Sequence, residues 1–246
     1  MSAAPAAPVR DGGAAGRVAA LTGTRIGAYV RSRRALAPTI ATLALLGIIH
    51  AGGAAPMSEA YGVSALVLLP ALAWQAKLVL DGEPATQRML ATTAVGGRGR
   101  ELVAGLLAAS APAVFTIAVG LVVPWLLGAV ERPASGADLL AGLGYGLWIH
   151  ALAAITGLAI GAWASRALGR DAGRATLTLV GGVVLVLALG SGAADPLGWL
   201  VPRLTAIVRA ENAADPLAAA LLTLHASALV TLALAGYCRK RLTTRP

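Results

Sequence analysis

Few residues in this 246-residue chain are of the types that do chemistry, and their spacing excludes most of what they could do. The histidines, His50, His150 and His225, are scattered, and no Cys-x-x-Cys or His-Glu-x-x-His accompanies them, so paired metal ligands at usable spacing are missing. Cys238 is the single cysteine and forbids an intrachain disulfide. A phosphate-cradling P-loop needs a lysine preceded by glycine, but Lys77 follows Ala76 and Lys240 follows Arg239. The chain therefore carries no standard ATPase site and calls for no cofactor of its own. His150 and His225 both fall well inside apolar runs, which leaves bis-histidine haem ligation, as in an integral-membrane accessory or redox subunit, beside the plainer reading of hydrogen-bonded packing histidines. Ser191, within Gly190-Ser191-Gly192, pairs with His225 as an intramembrane serine hydrolase on paper, but the apolar flanks offer no oxyanion-hole donors. What remains is a polar stretch, residues 77–101, which carries seven charges between two membrane-length apolar runs.

The elements that must hold this stretch are membrane helices. With 57% hydrophobic and 13% charged residues, and a mean hydropathy of +0.75, the composition is that of an integral membrane protein. Six apolar runs, uncharged but for Lys77 near the end of the second, predict an all-α protein with six transmembrane helices, at about 35–55, 60–80, 102–130, 139–165, 175–194 and 217–238, since a helix crosses a hydrocarbon core in roughly 17–25 residues. Residues 1–20 read as a disordered tail and 21–246 as the six-span domain. Of the 20 basic residues, 17 fall before the first run, in 77–101, in 166–174 or after the last run, which puts both termini and 77–101 in the cytoplasm. The net charge of +9 is thus a topology signal that needs no nucleic acid. The expected place is a bacterial cytoplasmic membrane, with lipid around the spans. A signal-peptide reading of the first run, cut near residues 51–55, would leave five spans.

Within 77–101, Pro84 suits a first helical position, and Asp81 and Glu83 sit where a positive helix end favours anions. A helix over 84–93, a break at Gly96-Gly97 and a new helix near Arg98 follow. Ten residues are too few to be stable alone in water, so this helix must lean on something. Residues 21–34 read as an interfacial helix or a plain basic tail. In the fourth span, Gly142, Gly146, His150, Gly157 and Gly161 share one helix face, small enough for a neighbouring span or a second subunit to approach closely. Between spans five and six, Leu197, Leu200, Val201, Leu204, Ile207 and Val208 recur at helical spacing, which predicts an external amphipathic helix against the membrane, anchored by Trp199.

This arrangement resembles the ABC type-2 transporter permeases over most of the chain from about Leu21. In the first cytoplasmic loop, Glu83, Pro84, then Gln87, Arg88, Met89 and Leu90, then Thr92-Thr93, and Arg98 before the third span follow that family's order of acidic residue, coupling helix, turn and basic residue. Ala94 stands where a proline is frequent, and no lysine follows at the start of the third span. The resemblance implies a permease subunit of an ATP-driven exporter that pairs with a second permease copy, as homodimer or heterodimer. It implies that a separate ABC ATPase subunit, which binds ATP and Mg, docks on the coupling helix. Absence of charge from the spans leans toward a hydrophobic or amphipathic cargo.

Overall fold

The structure, a computed structural model, describes residues 13–168, 171–191, 197–212 and 214–243. Most of the tail read as disordered, and Gly192, lie outside these residues. Every regular element described is helical: α1 Ala14–Arg31, α2 Leu36–Ile49, α3 Met57–Leu80, α4 Ala85–Val95, α5 Arg98–Leu126, α6 Gly136–Trp163, α7 Ala172–Ser191, α8 Leu204–Asn212 and α9 Pro216–Thr243. Five of them, α3, α5, α6, α7 and α9, are each long and apolar enough to cross a membrane. The first expected span is different. It is realised as the 14-residue α2 and a short 3-10 turn, His50–Gly52, and α1 joins it at 71° through a turn in which Arg33 takes a left-handed φ of 58°. A sixth span exists only if α1 and α2 count as one bent unit. Helix α1 also starts within residues 1–20, so that much of the expected tail is ordered as helix.

The bundle is built around α3, which touches α1, α2, α5, α6, α7 and α8. Of its most apolar 18 residues 56% are buried in protein, against 17% for α7 and for α9. Pro70 lies inside α3, and the helix continues through it. The α3 and α6 backbones meet closely, because the glycine face of α6 lies along α3. A Cβ at Gly161 would fall 2.5 Å from the Ala73 carbonyl oxygen and 2.9 Å from the Lys77 nitrogen, and one at Gly157 3.0 Å from the Ala73 nitrogen. Higher up, Gly146 faces the Tyr61 ring and Gly142 faces Met57. In hydrocarbon there is no hydrophobic drive between helices, so this close fit supplies the van der Waals contact that holds them. The partner of that face is thus a neighbouring span of the same chain.

The segment between α7 and α9 corrects one expectation. Leu204, Ile207 and Val208 of α8 are buried against the bundle, with Val208 set into the gap that Gly62 of α3 leaves open. Their apolar stripe serves protein packing. Leu197, Trp199 and Leu200, just before α8, remain exposed. The connections before α3 and after α5 are also tied together: Ala55 and Val130 form an isolated bridge, with Ala55 N–H donating to Ala129 O at 3.1 Å.

Replacing Gly161 by Leu should force the α3 and α6 backbones apart at a cost of about 1–3 kcal/mol. The unfolding midpoint in detergent should fall accordingly. Gly144→Leu is the matched control, because a Cβ there meets nothing within 4 Å, and its midpoint should stay at the wild-type value.

Candidate functional site

Helix α4 is defined at both ends by local chemistry. Pro84 is its N-cap, with ψ of 154°, and so stands one residue before the first helical position assigned to it. At the other end Gly96 adopts φ of 81°, and its N–H bonds Thr93 O at 3.2 Å while Gly97 N–H bonds Thr92 O at 2.9 Å. This pair of bonds closes the helix in a Schellman turn, which needs the left-handed residue that glycine supplies. Eleven residues gain stability from contact: α4 touches α1 and α5, and Val95 is buried beneath it.

The two faces of α4 differ. Pro84, Gln87, Met89 and Leu90 are exposed, Leu90 at 73% and Met89 at 49%. Arg88 turns the other way, its Nη2 donating to the carbonyls of Leu80 at 3.0 Å and Glu83 at 3.3 Å. Thr92 is half-buried and returns its hydroxyl to Arg88 O at 2.8 Å. Arg98 opens α5, exposed, beyond the glycine break. Gly142, Gly146, Gly157 and Gly161 lie elsewhere, on the α6 face against α3, and His150 of the same helix also meets α5.

Glu83 does not point outward as a docking residue. Its carboxylate takes a 2.6 Å bond from Arg25 Nη2, and the same nitrogen donates to Glu101 Oε1 at 2.6 Å. Arg25 Nη1 adds a bond to the Glu101 carbonyl at 3.0 Å. The other Glu101 oxygen accepts from Arg241 Nη2 at 3.0 Å, and Arg241 Nη1 reaches Ala167 O at 3.3 Å. One charged interlock therefore ties α1, the approach to α4, the first turn of α5 and the end of α9. Side chains of Arg25 and Glu101 are each 6% exposed and that of Glu83 is 20% exposed. Burial alone lowers the Arg25 pKa, but the bonds to Glu83 and Glu101 outweigh it and raise it above the ordinary value. Arg88 has no such carboxylate; burial first, and the Arg241 charge second, lower its pKa. Gly105 makes room for the network, because a Cβ there would lie 2.9 Å from Arg25 Nη1.

Asp81, expected to favour the start of α4, serves the end of α3. Its carboxylate pairs with Lys77 Nζ at 2.5 Å and accepts the Arg166 backbone N–H at 2.7 Å, pinning the turn after α6 to α3.

The three comparisons add no relative to this geometry. No family model, curated protein or solved structure matches the chain.

The remaining chemical candidates are not assembled into sites. His150 is fully buried; its Nδ1 bonds Gly146 O at 2.7 Å, and its Nε2 edge abuts α5 so closely that a Cβ at Gly120 would lie 2.6 Å away. An iron on Nε2 would have to occupy the space where α5 runs, so the haem alternative does not fit this histidine. Ser191 Oγ donates to Ala188 O at 2.7 Å, and His225 Nε2 has no hydrogen-bond partner, so no bond joins the two. Among the described residues no three His, Cys, Asp or Glu side chains stand together as a metal site.

In the sequence Arg25, Glu101 and Arg241 stand as single charges beside apolar runs, with no local sign that they meet. Gly105, one turn after Glu101, is the local signal that a bulky neighbour needs space. Glu101→Gln removes the charge that two arginines share, and breaking a buried pair costs about 3–5 kcal/mol. Glu83→Gln should cost less, since Arg25 keeps Glu101 and Glu83 is partly solvated. Thermal unfolding in detergent should rank them wild type, Glu83→Gln, Glu101→Gln; the reverse order would remove Glu101 from the centre of the interlock.

Proposed function

We propose that this chain is the permease subunit of an ATP-driven exporter resembling the ABC type-2 permeases, driven by a separate ATPase. The observation that carries the reading is the division of labour in α4. One face offers Leu90, Met89 and Gln87 to a partner, and the other is anchored by Arg88 and lies beside the Arg25–Glu83–Glu101–Arg241 interlock. A short helix that is exposed on one side and fastened to α1 and α5 on the other can hand a push from an ATPase to the membrane helices. A loop that only connected two spans would need neither feature. ATP and Mg belong to the ATPase, because this chain has no lysine of P-loop type. The permease pairs with a second copy, identical or related. Sparse burial along α5, α7 and α9 leaves apolar faces for that copy, for lipid and for a hydrophobic or amphipathic cargo. Both termini and α4 lie on the cytoplasmic side of a bacterial inner membrane, in line with the basic residues gathered at those ends.

Docking is best tested on the outward face, since Glu83 is committed to Arg25. Affinity-purified wild-type chain from its native membrane should carry a P-loop ATPase and show ATP hydrolysis. Leu90→Glu should reduce that ATPase at least tenfold without changing the unfolding midpoint, because the side chain is 73% exposed. No ATPase with the wild type, or an undiminished complex with Leu90→Glu, refutes the reading. For orientation, Cys238 is the only thiol, and an impermeant maleimide should reach it from the cytoplasmic side of inverted vesicles and not in intact cells.

A further inference from the structure

A second feature lies on the other flank of α1, outside the interlock. Between α1 and α5 runs an open groove of about 800 Å³, walled by Ala15, Ala19, Gly23 and Ile26 of α1 and by Leu107 of α5, with Arg100 at one end. Its size is that of a small-molecule site, for which roughly 300–1,000 Å³ is usual. Arg100 and Leu107 are seven residues apart on α5, so the groove spans roughly 10 Å from the basic end of the helix into its apolar part. We propose that this groove binds one anionic phospholipid, with its phosphate on Arg100 and an acyl chain lying along α1.

Charge selects the lipid. Arg100 Nη1 gives only long bonds, 3.4 Å each, to the carbonyls of Val95 and Gly96, and among the described residues no carboxylate pairs with it. The Arg17 guanidinium approaches the same Gly96, 3.9 Å from where a Cβ would stand. Helix α1 contains no acidic residue. An anion at the mouth satisfies a planar donor fork suited to phosphate, and only a lipid carries that anion on a chain that continues into hydrocarbon depth. A second copy of this chain, with net charge +9, brings no matching excess of anions. The inference concerns a site apart from the docking face of α4 and stands without the transport reading.

Native mass spectrometry of the detergent-purified chain, titrated with phosphatidylglycerol and phosphatidylcholine of identical acyl chains, tests it. The wild type should favour phosphatidylglycerol by about fivefold, the scale of one basic residue at an anionic surface. Arg100→Gln should bring the ratio near one, whereas Arg239→Gln, an equal charge change on the exposed end of α9, should leave it intact. Gly23→Leu fills the groove where a Cβ meets nothing within 4 Å, so it should fold normally and weaken both lipids severalfold. Equal binding of the two lipids by the wild type, loss of preference in Arg239→Gln, or unchanged binding by Gly23→Leu overturns the proposal. So does inorganic phosphate that displaces phosphatidylglycerol, which marks a bare anion site, or a Gly23→Leu change in oligomeric state with lipid binding intact, which marks a protein interface.

Discussion

A guanidinium buried at 6% exposure is tolerable only when its charge and its donors are met, and Arg25 meets them by holding two carboxylates and a carbonyl at once. Everything at this end of the molecule depends on that arrangement. Without Glu101, Arg25 and Arg241 would each lose a buried counter-charge; without Arg25, Glu83 and Glu101 would lose the cation they share. Because the four residues come from α1, the α3–α4 link, α5 and α9, an energetic demand that is local in space becomes a constraint on distant segments, one bond alone, Arg241 to Glu101, joining residues 140 apart. Helix α4 inherits its position from this, being joined to the network by the short run from Glu83.

Further into the membrane the logic changes from charge to distance. Helices α3 and α6 adhere because Gly157 and Gly161 let the Ala73 and Lys77 backbone lie where side chains would otherwise be. Two polar contacts cross between helices here: Thr116 of α5 donates to Gln75 of α3 at 3.0 Å, and Trp125 donates to Tyr61 at 2.7 Å. Such bonds fix the rotation of α5 against α3, which packing of small residues alone leaves loose.

Features written in contiguous residues were legible in the sequence. The apolar runs gave helices long enough to span, Gly96-Gly97 marked the break, and the four-residue spacing of small residues marked the face that α3 occupies. Features that depend on partners far along the chain were not. Glu83 looks like a solvent-facing anion at a helix start until Arg25, 58 residues earlier, is placed beside it. Of the stripe over 197–208 only Leu204, Ile207 and Val208 fall in α8, and they meet protein, because an apolar face does not say whether protein or lipid will cover it. The first span survives only as part of a bent pair, α1 with α2. Its apolar run was long enough, but the chain turns at Arg33 before it and winds into a 3-10 turn at His50, leaving 14 α-helical residues.

That shortened helix has a mechanical consequence for the surrounding lipid. At 1.5 Å per residue α2 measures roughly 21 Å, and its 3-10 turn adds about 6 Å, short of a hydrocarbon core of about 30 Å. Helix α5, with 29 residues, exceeds that thickness. A bilayer crossed by α2 alone would have to thin beside it, while one around α5 is met by tilt or local thickening. An elastic gradient of this kind draws shorter-chain lipids to one flank of the protein and makes that flank the least resistant place for a headgroup to sink below the level of its neighbours.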